Sequence, residues 1–240
     1  MKSTVLHRYP TLIRGVLLKR YKRFFADIEL VSGEVVTAHC PNTGPMTDIS
    51  TPGHTVYLSR SENPRRTLAY TWELIETDGV YVGVNTALPN RIIGQGLKEQ
   101  AFRELGVYSQ VCREVRYGTE GSRIDFWLDS DPPTYLEVKN TTWTQVTPEG
   151  RRALFPDTIT TRGQKHLREL TRIVAGGERA AILYFINRSD CNSFSPGDSR
   201  DPVYGQLLRE AVARGLLVLP YCFEATPLQV NYLGPVPLAL

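Results

Sequence analysis

Short apolar runs that alternate with polar positions fill the first third of the chain. Such period-two patterns are typical of half-buried β-strands, and the Gly, Pro, Asn and Asp residues between them mark turns. The runs cover residues 11–20, 22–30, 33–40, 54–60, 66–77 and 79–84. Five or six short strands in about 80 residues indicate a small closed sheet. We therefore predict an OB-like β-barrel over residues 1–85.

From about residue 86 the pattern changes to one of mixed strands and helices. Helices are predicted at 95–105, which ends at Gly106, at 162–175 and at 201–215, and strands at 107–118, 179–188 and 216–225. The apolar residues of the helix at 162–175 recur at helical spacing, and two glycines follow it. Strand–helix units of this kind predict a mixed sheet covered by helices. The expected fold is α+β with two domains, the second an α/β domain over residues 86–240.

One predicted hairpin, residues 121–140, carries charges in otherwise apolar strands. The segment "DSDPPT" between its strands is rich in turn residues. If the hairpin is centred on Asp131, paired residue numbers sum to 262, so Asp125 lies opposite Glu137. Strand alternation then places Lys139 on the same face. Because two close carboxylates repel each other, this patch predicts a divalent cation held by Asp125 and Glu137.

The same charges also fit an exposed sheet face with cross-strand ion pairs to Arg123, and the pattern alone leaves both interpretations open. The predicted helix at 162–175 has a similar ambiguity. Its polar residues Arg162, Lys165 and His166 form either a solvated basic face or a surface that faces phosphates beside the hairpin. Asp157, in the loop before this helix, is a further polar candidate.

Charge is unevenly distributed in this chain of 240 residues with a net charge of +3. Seven basic residues precede the first acidic one, Asp27, and the candidates among them for binding nucleic acid are Lys19, Arg20, Lys22 and Arg23. A solvated basic face is the alternative. The four cysteines form no CxxC pair, and no apolar run is long enough for a signal peptide or membrane span. We therefore expect a cytoplasmic protein that does not bind membranes.

Five separated blocks resemble the sugar fermentation stimulation protein family (SfsA): "CPNTGPM", "VGVNTALPNR", "SRIDFWL", "YLEVKN" and "ALFPDTITTRGQKHLREL". The resemblance implies an N-terminal OB-like domain, a C-terminal domain of the PD-(D/E)xK nuclease type and DNA binding. It also implies a role as a DNA or RNA nuclease or as a regulator of sugar metabolism. Asp125 matches the first acid of the nuclease pattern, and Glu137 and Lys139 match its E-x-K part, with Mg²⁺ or Mn²⁺ as cofactor.

One position departs from the family pattern. Proteins of this family tend to carry an acid in the helix after "LPNR", where this chain has Gly94 and Gln95, and the nearest acid is Glu99. Three hypotheses follow. The first is a nucleic-acid-binding protein with a metal-dependent phosphodiesterase site. The second is a DNA-binding regulator that retains the nuclease-like domain only as a scaffold, and the third is an interaction module for another polyanion or protein. Whether the chain forms a homo-oligomer is left open.

Overall fold

The computed structural model describes residues 4–118 and 121–240, so Lys2 lies outside the described residues. Its strands are β1 Thr4–Arg8, β2 Ile13–Tyr21, β3 Phe25–Leu30, β4 Val35–His39, β5 Thr55–Arg60, β6 Tyr70–Thr77, β7 Val80–Gly83, β8 Val111–Tyr117, β9 Ser122–Leu128, β10 Thr134–Thr141, β11 Thr144–Thr147, β12 Gly150–Phe155, β13 Arg179–Ile186, β14 Ser193–Pro196, β15 Leu217–Ala225 and β16 Gln229–Pro235. Its α-helices are α1 Leu88–Lys98, α2 Thr161–Ala175 and α3 Pro202–Ala213.

Strands β2 to β7 form the predicted barrel. Their order is β4-β3-β2-β5-β6-β7, and a parallel pairing of β4 with β6 closes the sheet. Alternate side chains point inward, and Leu17, Ile28 and Trp72 are completely buried. Burying one such apolar side chain contributes about 1.5–3 kcal/mol. The apolar residues whose alternation predicted the strands therefore form the core of the barrel.

A seven-stranded mixed sheet forms the centre of the second domain, in the order β1-β16-β15-β13-β10-β9-β8. Strands β10, β13 and β15 run parallel to one another. Helix α1 packs on one face of this sheet, against Leu183 and Phe185 of β13. Helices α2 and α3 pack on the other face, against Ile182 and Tyr184. A small sheet, β11-β12-β14, completes the predicted α+β fold.

Strand β1 joins the second sheet and not the barrel. It pairs with β16 in an antiparallel arrangement, and its Leu6 is buried in the same apolar cluster as α1. The predicted division at residue 85 therefore stays a prediction, but residues 4–8 belong structurally to the second sheet. Further contacts join the domains, among them the Gly83 N–H, which donates to the Asn187 carbonyl, and the ion pair of Arg151 with Asp78.

Helix α1 begins seven residues earlier than the predicted helix at 95–105, which is therefore misplaced. A proline in its first turn suits a helix start, but Gly94 and Gly96 weaken the helical pattern in the sequence. Gly96 is required by packing, since a Cβ there would lie 2.5 Å from the Phe102 ring. The rest of the predicted helix forms only a 3₁₀ turn, Arg103–Leu105. No α-helix in the described part of the chain is long and apolar enough to cross a membrane.

Candidate metal and nucleic-acid site

The hairpin of β9 and β10 has the predicted register. Leu128, Trp127 and Phe126 pair with Thr134, Tyr135 and Leu136, and each pair of residue numbers sums to 262. The pairing ends there, one step before Asp125 and Glu137. The Asp125 carboxylate instead accepts a hydrogen bond from the Val138 N–H, at 2.7 Å from Oδ2. The side chain of Asp125 therefore takes the place of a main-chain acceptor where the two strands part.

Helix α1 supplies the other partner of Asp125. The Asn90 amide donates to Asp125 Oδ1 at 2.7 Å. Burial, and then the negative charge of Glu137, raise the pKa of Asp125 to about 6 in spite of these hydrogen bonds. A carboxyl group whose pKa is raised by burial and by a like charge is typical of functional sites.

Glu137 is buried between two basic groups. Its Oε1 lies 2.6 Å from Lys139 Nζ and 2.5 Å from His166 Nδ1 on α2. Burial opposes ionisation of Glu137, but Lys139 and His166 outweigh it and lower the pKa of this carboxyl group. Glu137 is only 3% exposed, and the Lys139 side chain 13%. This burial rules out the exposed sheet face for these two residues.

The second oxygen of the Glu137 carboxylate has no such partner. Oε2 is buried and accepts no hydrogen bond within residues 4–118 and 121–240. A buried carboxylate oxygen without a partner is costly, and a cation would relieve that cost. In the described ranges, no group of three or more His, Cys, Asp or Glu residues could enclose an ion. The donor set thus fits a cation that takes two carboxylates and completes its shell with water or phosphate.

The α2 residues that we predicted from the sequence do lie beside the hairpin, but they differ in exposure. His166 is buried against Glu137 and Lys139, so it does not belong to a solvated face. Arg162 is exposed, and its Nε lies 3.4 Å from His166 Nε2. Lys165 is half-buried. Arg162 therefore extends the line of basic groups from Lys139 to the protein surface.

The basic residues of the barrel also separate into two kinds. Lys22 and Arg23 are exposed in the turn between β2 and β3, and Lys19 is exposed beside Asp27, 3.2 Å away. Arg20 is different, because its guanidinium donates to the carbonyls of Asn42 and Gly44 at 2.9 Å. Arg20 therefore holds the loop "CPNTGPM", and its role in binding nucleic acid stays a prediction.

The two supporting candidates, Asp157 and Glu99, do not contact Asp125 or Glu137. Asp157 lines a cavity with Asn42 and Trp143 at the domain boundary, and burial raises its pKa. The Glu99 carboxylate accepts from Gln95 at the end of α1. The space beside Gly94 is filled by Arg113, whose Nη2 would lie 2.5 Å from a Cβ at that position.

Sequence reasoning missed two residues of the site. Asn90, on α1, reaches Asp125, but it lies before the predicted helix at 95–105 and was not among the predicted site residues. Tyr117, at the end of β8, has a buried hydroxyl with no hydrogen-bond partner in the part of the chain that the structure describes. Burial, and then the charges of Glu137, Glu169 and Asp125, raise the pKa of Tyr117. A single tyrosine in a predicted strand does not indicate from the sequence that it lies at a functional site.

Comparison with known proteins identifies relatives over the whole chain. A model described as the SfsA N-terminal OB domain matches residues 18–84, and one described as the sugar fermentation stimulation protein RE domain matches residues 87–229. The sugar fermentation stimulation protein homolog of Gloeobacter violaceus is 62% identical over 238 residues, 99% of each chain. That of Synechococcus elongatus is 61% identical over 238 residues, 98% of each chain.

A solved structure shares the fold. It is that of Pyrococcus furiosus SfsA in complex with Ca²⁺, which covers 99% of this chain and 100% of its own, with a TM-score of 0.88 and 22% sequence identity. The family models, the close relatives and this common fold agree, and the resemblance noted in the sequence is confirmed. The chain belongs to the sugar fermentation stimulation protein (SfsA) family.

Proposed function

We propose that this protein binds nucleic acid, DNA in the first place, and cleaves it at a site where Asp125 and Glu137 hold a divalent metal and Lys139 acts on the substrate. The observation that carries the proposal is the buried Glu137 carboxylate. One of its oxygens is held by Lys139 and His166, while the other has no hydrogen-bond partner in the described residues. A carboxylate that served only in an ion pair would gain from satisfying both oxygens.

Asp125 and Glu137 would hold the ion, either Mg²⁺ or Mn²⁺. Bound there, a divalent cation would supply Lewis-acid polarisation of the scissile phosphate and would lower the pKa of a bound water. The complex of Pyrococcus furiosus SfsA with Ca²⁺ supports a divalent ion in a protein of this fold. The raised pKa of Asp125 supports it as well, since a cation would favour the ionised form that burial disfavours.

Lys139 would act on the substrate. Its ammonium lies 2.6 Å from Glu137 Oε1, and an ammonium carries three N–H donors, so it can also donate to a substrate. Such a cation can orient the attacking water or stabilise charge that develops on the phosphate. Arg162, Lys165 and the barrel residues Lys19, Lys22 and Arg23 would hold the substrate backbone through its phosphates. Cleavage would thus take place where the hairpin strands part, between α1 and α2.

The direct test is cleavage of labelled DNA and RNA oligonucleotides with Mg²⁺ or Mn²⁺. We expect the wild type to cleave, and we expect Glu137→Gln to lose about a hundredfold or more of the rate while still binding the oligonucleotide. Glu210→Gln is the matched control, because it makes the same change at an exposed acid of α3 outside the site and should cleave like the wild type. Equal cleavage by Glu137→Gln and the wild type would contradict the proposal.

The second candidate function is a DNA-binding regulator with no enzymatic activity. It is favoured by the absence of an acid at Gly94, where the Arg113 guanidinium occupies the available space. This candidate predicts a wild type that binds DNA but cleaves neither DNA nor RNA with either metal. The same assay therefore separates the two functions.

A further inference from the structure

A basic groove runs along the outward side of α1, next to the candidate site. It is lined mainly by six residues of β1, α1 and β8: His7, Arg8, Arg91, Gln95, Glu99 and Arg113. Three of them lie at positions 91, 95 and 99 of one helix, a spacing of four residues that places them on the same face. The groove is thus built by three separate segments of the sequence, residues 7–8, 91–99 and 113, that meet along one helix.

Three guanidinium groups face one carboxylate in this groove. Arg8, Arg91 and Arg113 are exposed, and none of them forms an ion pair with an acidic residue between residues 4 and 118 or between 121 and 240. The carboxylate of Glu99 accepts from Gln95. Burial, and then the charge of Arg91, lower the pKa of His7. An excess of positive charge in one groove indicates a site for an anion.

The groove connects directly to the candidate site. Arg113 Nη2 donates to the Asn90 carbonyl at 2.6 Å, and the Asn90 amide donates to Asp125 Oδ1 at 2.7 Å. Arg113 also lies over the Phe126 ring, 5.1 Å from its centroid, and Phe126 adjoins Asp125 in β9. One residue of α1 therefore separates a groove cation from a carboxylate of the site.

We propose that this groove binds the phosphodiester backbone of the nucleic acid on the α1 side of the cleavage site. Arg91 and Arg8 contact phosphates, and Arg113 positions the strand next to Asp125. The inference rests on the proposed function, because it takes the same substrate. It adds a second line of contacts on the face of the sheet opposite α2, so that the strand is held on both sides of Asp125 and Glu137.

The test is binding of a fluorescent DNA oligonucleotide across a series of salt concentrations, without added metal, so that cleavage does not interfere. Arg91→Gln should weaken binding severalfold and reduce the slope of log affinity against log salt by about 1, as the loss of one phosphate contact would. Arg91→Lys keeps the charge and should restore the slope. Arg214→Gln, on the opposite face beyond α3, is the matched control and should bind like the wild type.

Arg8→Gln is a second, independent test, because Arg8 lies on β1 and its guanidinium donates to the Gln229 side chain there. It should reduce the salt slope in the same way. If both groove variants bind like the wild type while the wild type binds and cleaves, the groove is not used and only this inference fails. If the wild type does not bind the oligonucleotide at all, the proposed function fails first. Tight competition by inorganic phosphate would instead indicate a small-anion site and overturn the assignment to a strand.

Discussion

His166 Nδ1 lies 2.5 Å from Glu137 Oε1, and this contact joins helix α2 to strand β10 at the point where the hairpin opens. Lys139 Nζ lies 2.6 Å from the same oxygen. The two basic groups hold the Glu137 carboxylate in one orientation and leave its other oxygen directed away from them. A site whose ligand is fixed by its neighbours loses little entropy when a cation or a phosphate binds.

Glu137→Gln should remove metal-dependent stabilisation. A cation bound to the folded state raises stability by mass action, so Mn²⁺ should raise the melting temperature of the wild type and of Glu210→Gln but not of Glu137→Gln. Without metal, Glu137→Gln relieves repulsion with Asp125 but removes the partner of a largely buried Lys139. We expect the second effect to dominate, with a loss of up to about 3 kcal/mol in the free energy of unfolding. Equal Mn²⁺ shifts in all three proteins would argue against a metal at Glu137.

The titration of Asp125 should give the protein a measurable pH dependence. Its pKa of about 6 in the folded state lies above the ordinary value of 3.8, so folding takes up a proton between these values. The contribution of Asp125 to stability is full below about pH 4 and is lost as the pH rises through 6, a difference of about 3 kcal/mol. Relative to Asp125→Asn, the wild type should therefore become less stable over this range in chemical denaturation without metal. Parallel pH profiles would contradict the assignment.

Metal binding should also depend on the ionisation of Asp125, but it should become stronger as the pH rises. A carboxylate must be ionised to bind a cation, so the melting-temperature shift produced by Mn²⁺ should grow from about pH 5 to about pH 7 in the wild type. A shift that stays constant over this range would indicate that the ion binds elsewhere.

Lys139→Ala should separate binding from cleavage. The ammonium is 2.6 Å from Glu137 but leaves Asp125 with its own partners, so metal stabilisation should persist. Cleavage should fall by about a hundredfold or more, because a donor aimed at the reacting phosphate or water is lost. Lys139→Arg retains the charge in a different shape and should recover part of the rate. If Mn²⁺ no longer raises the melting temperature of Lys139→Ala, Lys139 acts by positioning Glu137 and not on the substrate.

Substitution of the basic barrel residues should have different effects, depending on whether the side chain is exposed or hydrogen-bonded to the protein. Arg23→Gln removes an exposed charge and should lower the salt slope of oligonucleotide binding by about 1 with no change in melting temperature. Arg20→Gln breaks two hydrogen bonds to the loop at 40–46 and should lower the free energy of unfolding by about 1–3 kcal/mol. A truncation at residue 86 cannot replace these variants, since it removes β1 from the second sheet.

The sequence by itself determined the local features of this protein. Alternating apolar positions predicted the barrel strands, the turn residues between β9 and β10 predicted their register, and the spacing around Leu167 and Leu170 predicted α2. Each of these depends on neighbours close in the chain, where the period of the side chains and the chemistry of the turn act directly. The family blocks then predicted which carboxylates to expect in one site.

Only the tertiary structure decided which distant residues meet. It paired β1 with β16, placed Asn90 on Asp125, buried His166 against Glu137 and turned Arg20 into a support of the loop at 40–46. Whether a charged side chain faces solvent or a buried partner depends on which elements pack above it. The spacing of apolar residues within one element does not show which other elements pack on it. Strands and helices far apart in the chain are brought together by the burial of their apolar faces.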